Sequence, residues 1–417
     1  MTRTVRNRAD ACPGTLATHA AADGPLARIR VPGGRLTTPQ VRALGQCAAE
    51  LGDGRLHLTS RANIQLRGLS DPDELARRLA DVGLLPSSSH ERVRNILASP
   101  LSGISGGFVD VRLMVNTLDE AIRAEPRLAE LPGRFQFGLD DGRGDLPGDA
   151  LDVGWRALDD QAGALLLAGS DTGLRVPPHR AVPAMVTAAL TFLDQRADAG
   201  SGAWHVRELG GTTHLAAAVT ETLADDVGWI DPKRFGSSEP APVGVHPHDT
   251  GHARAIVAGV SLGTLDAAQV ELLAEIAPHI VVFTPWRSAV LPGLSATLAD
   301  KAAEELTAAG FLLDPTDASL GVTACIGSPG CAASAADVRA DVRRFLPVLP
   351  PGSAVHVSGC ERRCGRPRSD HVDAVATGSG YTVDGDPVPL DALASTVAKA
   401  AWTTPEPPGP GTRARRE

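Results

Sequence analysis

Apolar and polar positions run through one order of elements twice along this chain. In residues 26–85, LARIRV (26–31) alternates as a strand, and a helix follows with Thr38 as its cap and Pro39 at its first position. Val41, Leu44 and Leu51 mark one face of that helix. RLHLT (55–59) alternates again, and Asp71-Pro72 opens a second helix through Leu75, Leu79 and Val82 that stops at Gly83. In residues 254–310 the order returns. AIVAGV (255–260) is the strand, Asp266 caps a helix carrying Val270, Leu273 and Ala277, HIVVFT (279–284) is the next strand, and Ser295 caps a helix ending at Gly310. Matching residues recur in place: Gln40-Val41 with Gln269-Val270, Thr59 with Thr284, and Gly68-Leu69 with Gly293-Leu294. A repeat of this length predicts two similar α/β units packed about a pseudo-two-fold axis.

Each repeat is followed by a segment of short strands, Gly-rich turns and helices. The expected modules are 1–87, 88–235, 236–312 and 313–402, with a Pro/Gly-rich charged tail at 403–417 expected to be disordered. Residues 236–253 read as a linker. With 417 residues, 43% of them hydrophobic and 21% charged, the chain is long enough for several cored domains. It has no apolar run long enough to span a bilayer and no signal-peptide pattern, and its six cysteines do not look like a disulfide framework, so a reducing cytoplasm is expected. A net charge of −9 argues against non-specific nucleic-acid binding, so an anionic ligand must meet a local basic pocket.

Four of the cysteines fall close together. Cys325 and Cys331 lie in TACIGSPGCAAS, and Cys360 and Cys364 in HVSGCERRCGRP, each pair in a loop bearing glycine or proline. Two pairs of thiolates from two loops suit a 4Fe-4S cluster. Zinc is the alternative, although five residues between Cys325 and Cys331 is wide for it, and unligated thiols are the third reading. Cys47, near the apolar face of a helix, reads as packing, and Cys12 in its ACPG turn as a partly buried thiol. Arginines concentrate between Arg55 and Arg94. Arg61, at a strand end beside Asn63 and Gln65, and Arg94 are the candidates for carboxylate binding, because a planar guanidinium binds carboxylates through two bonds, although spacing alone leaves each open to being an ordinary surface arginine. His246, His248, Asp249 and His252 offer metal-ligand chemistry, but they lie in the expected linker and read as a solvated loop, as do His205 and His214. The paired acids Asp140-Asp141 and Asp159-Asp160 read as solvated turns.

The run RLHLTSRANIQLRGL, VRNILASPLSG, LPGRFQFGLDDG, TACIGSPGC and SGCERRCG resembles the nitrite and sulfite reductase superfamily along nearly the whole chain. RADACPG, RIRVPGGRLTTPQ and FTPWRSAVLPGL are similar to its precorrin-3B synthase branch. The resemblance implies an α/β (α+β) architecture of two ferredoxin-like modules plus two mixed modules with one iron–sulfur cluster. It implies that Cys325, Cys331, Cys360 and Cys364 hold a 4Fe-4S cluster, with Cys364 also bridging to iron if sirohaem is bound, and that Arg61 and Arg94 contact anion and tetrapyrrole carboxylates. The superfamily's two proton-delivering lysines fall at Arg134 and Gln136. A guanidinium with a pKa above ~12 is a poor proton donor and an amide does not titrate, which argues against multi-electron sulfite reduction. The branch implies oxidation of precorrin-3A by O2, a second, mononuclear iron, and electrons from an external donor, since no dinucleotide fingerprint follows a strand. A sirohaem nitrite or sulfite reductase is the alternative, and an iron–sulfur carrier or tetrapyrrole-binding protein the non-enzymatic one.

Overall fold

The computed structural model describes residues 10–147, 151–236, 242–249, 251–367 and 369–403, so almost all of the tail expected to be disordered lies outside the described residues. The chain forms two compact units: one runs to residue 309, and the other comprises 310 onward with two short pieces at 21–23 and 260–262.

In the first unit both repeats fold as their patterns predict. The helices Thr38–Leu51 and Ala267–Ile276 start with matching capping boxes, in which Thr37 and Asp266 accept from the backbone of Gln40 and Gln269 and receive those glutamines in return. The first cap is thus Thr37, one residue before the expected Thr38, because the hydroxyl must sit outside the helix to reach the N–H of residue 40. Each glutamine amide then bonds the end of the following helical segment, Gln40 to the Val82 carbonyl (3.0 Å) and Gln269 to the Ala309 carbonyl (2.9 Å). The repeated Gln-Val pair therefore ties the two helices of each repeat together, while Val41 and Val270 are buried.

The two repeats interlock by exchanging strands. Thr264–Asp266 pairs antiparallel with Arg55–Leu58 of the first repeat, and Arg35–Thr37 pairs antiparallel with Ile280–Phe283 of the second. Each five-stranded sheet is completed by a strand of the other repeat. The segment read as a linker contributes as well: Gly244–Pro247 is an edge strand on Ala253–Gly259. Proline is tolerated there because an edge strand has one unpaired side.

A six-stranded sheet completes this unit. Ile96–Ala98, Phe137–Asp140 and Val153–Ala157 run parallel, and Gly163–Leu167, Ser170–Val176 and Gly228–Trp229 continue antiparallel. The helices Arg112–Ala124, Ala181–Asp198 and Thr213–Leu223 share a core with it that includes Phe135, Phe137, Trp155 and Phe192. Trp155 can be fully buried because its indole N–H donates to the Val176 carbonyl at 2.9 Å.

The second unit has one five-stranded sheet. Val322–Ala324, Val355–Ser358 and Val372–Thr377 are parallel neighbours, followed by antiparallel Gly380–Val383 and Asp386–Val388. The helices Val338–Phe345 and Leu393–Thr403 contribute Val338, Val342, Phe345 and Val397 to its core. No helix among the described residues is long and apolar enough to cross a membrane.

Candidate functional site

The four cysteines of the second unit are brought together by the parallel pairing of two strands. Ala324 pairs with Val357, so the loops leaving Val322–Ala324 and Val355–Ser358 emerge at the same end of the sheet. Cys325 continues the ladder, its N–H donating to the Val357 carbonyl at 3.0 Å. Its Sγ accepts from the Gly359 N–H at 3.2 Å, and Ala335 donates to the Gly359 carbonyl at 2.8 Å, which fastens the two loops to each other. Only glycine fits at 359, since a Cβ there would lie 1.8 Å from the Ser334 hydroxyl. A turn closed by Arg363 N–H on the Cys360 carbonyl (3.1 Å) sets Cys364 beside Cys360. Burial, and then the neighbouring Cys325, Cys360 and Cys331 thiols, push the Cys364 thiol up, so all four sulfurs lie within electrostatic reach of one another. None is in a disulfide. Four unbridged thiols from two joined loops, with a backbone N–H already aimed at one sulfur, are the donor set a cubane cluster takes.

The first unit carries the arginines. The Thr59 hydroxyl accepts from the Arg61 N–H (3.3 Å) and the Asn63 N–H (3.1 Å), and Ala62 takes a φ of 54° between them. The same turn stands in the second repeat, where Thr284 accepts from Trp286 and Ser288 (both 3.2 Å) and Arg287 has a φ of 57°. The repeat thus builds one turn twice and places Arg61 in one copy and Trp286 in the other. Arg61 is half-buried and its guanidinium has no partner among the described residues. Burial, then Arg28 and Arg134 nearby, lower its pKa, while Cys12 and Asp152 oppose them. A sheltered cation short of partners is what a carboxylate ligand satisfies.

Arg28, on the strand Gly24–Ile29 that pairs with Ile64–Leu66, and Arg30, just past its end, donate to the Cys12 sulfur at 3.2 and 3.4 Å. Arg30 is almost completely buried and its pKa is lowered to about 10, chiefly by that burial. Its remaining N–H groups are taken by the carbonyls of Pro13, Arg28, Arg92 and Gly133. Cys12 is fully buried, more so than its turn suggested, and Cys47 packs as expected.

Arg94 is placed differently from Arg61. Its fork makes two bonds to Asp119 on the helix Arg112–Ala124, at 2.6 and 3.1 Å, and both side chains are nearly buried. The guanidinium expected to meet a ligand carboxylate is already occupied by a carboxylate of the chain. Asp119→Ala should therefore destabilise the protein by about 3–5 kcal/mol, because it strands a buried charge. Urea unfolding checks this, and the double replacement Arg94→Met, Asp119→Leu should recover most of the loss.

Next to Arg94 lies Asn95, which no motif in the sequence marks. Its amide accepts from Asn63 (3.0 Å) and donates to the carbonyls of Arg92, Gly133 and Phe135 (3.2, 3.0 and 3.2 Å). It fastens the Arg61 turn to the segment Leu131–Gln136. Arg134 is 47% exposed there, 3.6 Å from Asp10 and over the Trp204 ring at 5.1 Å. Gln136 is fully buried, its amide nitrogen donating to the carbonyls of Asn95 (3.0 Å) and Phe137 (3.2 Å). Its backbone N–H donates to Asp152 at 2.9 Å, and Asp152 also holds His205 Nδ1 at 3.0 Å. His205 is therefore a buried, paired ring rather than a solvated loop residue, while His214 is exposed.

Asp140 and Asp141 are buried too, contrary to the solvated turn expected, because the chain supplies their partners. Asp140 accepts from the N–H groups of Gly142 (2.9 Å) and Gly144 (3.0 Å), and Asp141 pairs with Arg143 at 2.8 Å. Asp145 joins them, accepting from the Ser99 hydroxyl at 2.6 Å. Burial first, with Asp140 and Asp141 adding to it, pushes the Asp145 carboxyl up to about 7. A carboxyl raised on folding costs stability as pH climbs from its unfolded value near ~4 to 7, and the whole cost is present above that. Asp145→Asn should thus raise the melting temperature at pH 8 and change it little at pH 5. Asp159 caps its turn in the expected way, accepting from Gln161 and Ala162. Among the described residues the stretch His246–His252 assembles no metal-ligand group: His246 Nε2 bonds the Pro242 carbonyl (2.7 Å) and Asp249 accepts from Gly106 (2.9 Å).

Residues 19–82 match the nitrite/sulfite reductase ferredoxin-like half domain. A precorrin-3B synthase from Sinorhizobium is 28% identical over 393 residues, covering 90% of this chain and 82% of its own. A ferredoxin–nitrite reductase from Synechococcus elongatus is 26% identical over 386 residues, covering 82% of this chain and 74% of its own. The chain is thus similar to precorrin-3B synthase and to the nitrite and sulfite reductases along most of its length. The fold agrees: the solved NirA protein of Mycobacterium tuberculosis superimposes with a TM-score of 0.75 at 19% identity, covering 91% of this chain and 80% of that one. The duplicated ferredoxin-like architecture that the resemblance implied agrees with this fold.

Proposed function

We propose that this protein is a precorrin-3B synthase. In this reading it uses O2 and two electrons to place a hydroxyl on C20 of precorrin-3A while the ring A acetate closes to a γ-lactone. The observation that carries the reading is the state of Arg134 and Gln136. They stand where the resemblance puts the reductases' proton-delivering lysines, and Gln136 is buried with both amide N–H groups bonded to backbone carbonyls. Neither residue is fitted to feed protons to a small oxyanion, whereas an exposed Arg134 and a partner-free Arg61 suit the carboxylates of a larger ligand. The similarity to a synthase over most of both chains supports the same choice.

In this reading Arg61 binds a tetrapyrrole carboxylate and Arg134 a second one near its rim. The Asn63–Asn95 amide bridge holds both segments in place before the ligand arrives. Cys325, Cys331, Cys360 and Cys364 would hold a 4Fe-4S cluster, which supplies single-electron transfer. Electrons come from a separate reductase or ferredoxin-type donor, and the cytoplasm is the matching compartment.

The similarity to nitrite and sulfite reductases favours a second reading, a sirohaem-dependent reductase of a small anion. Absorption with iron, sulfide and tetrapyrrole analysis of anaerobically purified protein separates the two. A broad iron–sulfur shoulder without tetrapyrrole, and iron beyond the cluster's share, is the expected result. Soret-type and red bands of tightly bound sirohaem would favour the reductase, and zinc with neither cofactor would overturn both.

A further inference from the structure

Proton supply is the part of this chemistry that the arginines do not provide. Adding one atom of O2 to an organic substrate consumes two electrons and two protons, S + O2 + 2e− + 2H+ giving SO + H2O, with the hydroxyl and the lactone oxygen bonding across one unsaturated carbon pair, and reduction of an oxyanion consumes more. A guanidinium, with an ordinary pKa above ~12, is a poor proton donor, and a glutamine amide such as that of Gln136 does not titrate.

His205 has the missing chemistry. Imidazole is the side chain that ordinarily changes charge between about pH 5 and 8. The ring is nearly buried at 8% side-chain exposure, and its Nδ1 lies 3.0 Å from Asp152, which has none. Asp152 also accepts from the backbone of Gln136 (2.9 Å) and Val206 (2.8 Å), so its carboxylate is fixed and directs the ring proton to Nδ1. Nε2 has no partner among the described residues and is the nitrogen left for a ligand. Two observations connect this ring to the basic pocket. Asp152 is one of the charges that Arg61 feels, and Trp204, the preceding residue, carries the Arg134 guanidinium on its face at 5.1 Å.

We propose that His205 is the proton donor of the basic pocket, with Asp152 as its positioning residue. The imidazolium releases the proton on Nε2 to the oxygen atom that leaves as water. The ring becomes neutral with its Nδ1 proton still held by Asp152, solvent returns the proton, and a second release supplies the other proton of that water. The charged groups around the ring are Asp152 across Nδ1, Arg61 beyond that carboxylate, Arg134 against Trp204, and Arg207 and Glu208 on its own turn, where Glu208 accepts from the Trp204 N–H at 2.9 Å. The inference rests on the oxidoreductase reading, in either its oxygenase or its reductase form.

The test compares wild type with His205→Asn, which keeps a donor toward Asp152 but does not titrate. Holoenzyme is assayed from pH 5.5 to 9 with precorrin-3A and O2, and with nitrite and sulfite, and uroporphyrin serves as a tetrapyrrole polycarboxylate probe of binding. The variant should keep its iron–sulfur absorbance and bind uroporphyrin within about threefold. Wild type should lose rate as pH rises, and the variant should lose turnover by about a hundredfold or more together with that pH dependence. Mapping of diethylpyrocarbonate adducts on wild type reads the ring without turnover: His205 should react, and bound uroporphyrin should protect it. An active wild type beside an equally active variant with the same pH profile overturns the inference, as does a His205 that uroporphyrin leaves unprotected. Parallel losses of binding and turnover, with the pH profile unchanged, mark a structural role and also overturn it. A wild type inactive with all three substrates would overturn the oxidoreductase reading itself.

Discussion

Arg61→Ala should leave the iron–sulfur absorbance at its full value and lower turnover at least about a hundredfold, the scale seen when a charged hydrogen-bonding group is removed from a reacting pocket. The physical reason lies in what Arg61 lacks. Arg30 and Arg94 are each closed by carbonyls, a sulfur or a carboxylate of the chain. The Arg61 guanidinium is sheltered and held by none of the described residues. Its charge is therefore available to a ligand, and the cost of burying it is recovered only when an anion arrives. Removing it should weaken tetrapyrrole binding without lowering the melting temperature, the opposite of what Asp119→Ala should do. Arg61→Lys should restore part of the binding, since it returns the charge without the planar fork. An Arg61→Ala protein with wild-type turnover would remove this residue from the site.

Cys360→Ala should abolish the iron–sulfur absorbance and, with it, all turnover that draws on an external donor. Cys360 closes the turn that brings Cys364 alongside, and it departs from the strand whose neighbour delivers Cys325. Three thiolates left in a partly open loop hold a cubane poorly. Cys47→Ala, a packing change on a helix of the other unit, should keep the cluster and cost stability only. Iron and sulfide analysis of the two variants side by side checks the pair. A Cys360→Ala protein that retains full cluster absorbance would contradict the ligand set.

Local signals were the legible part of this protein. Caps, apolar periods and the Gln-Val and Thr repeats depend on residues within a few positions of one another, and they carried both ferredoxin-like halves, with Thr37 for Thr38 as a one-residue slip. The strand exchange was not legible, because Leu36 meets Val281 and Leu56 meets Leu265 across more than two hundred residues and no short pattern encodes such a partner. The same holds for charge. Arg61 and Arg94 look alike in sequence, and only the fold brings Asp119 to one of them. Asp140 and Asp141 read as solvated because their compensating groups, Arg143 and the amides of 142 and 144, lie in a turn that must first fold over them. Asp152 and His205 are 53 residues apart, and WHVREL carries no signal that its histidine is held by a buried carboxylate. Asn95, next to Arg94, carries no local signal either, although a buried amide with four bonds is what aligns the segments around it.

The most direct test of the central claim is product analysis. Anaerobically purified protein with its cluster reconstituted is given precorrin-3A, a reduced electron donor and isotopically labelled O2. One labelled oxygen atom gained at C20 with a γ-lactone on ring A is the predicted result, alongside negligible consumption of nitrite or sulfite. Unchanged precorrin-3A beside rapid six-electron reduction of either anion would contradict the account.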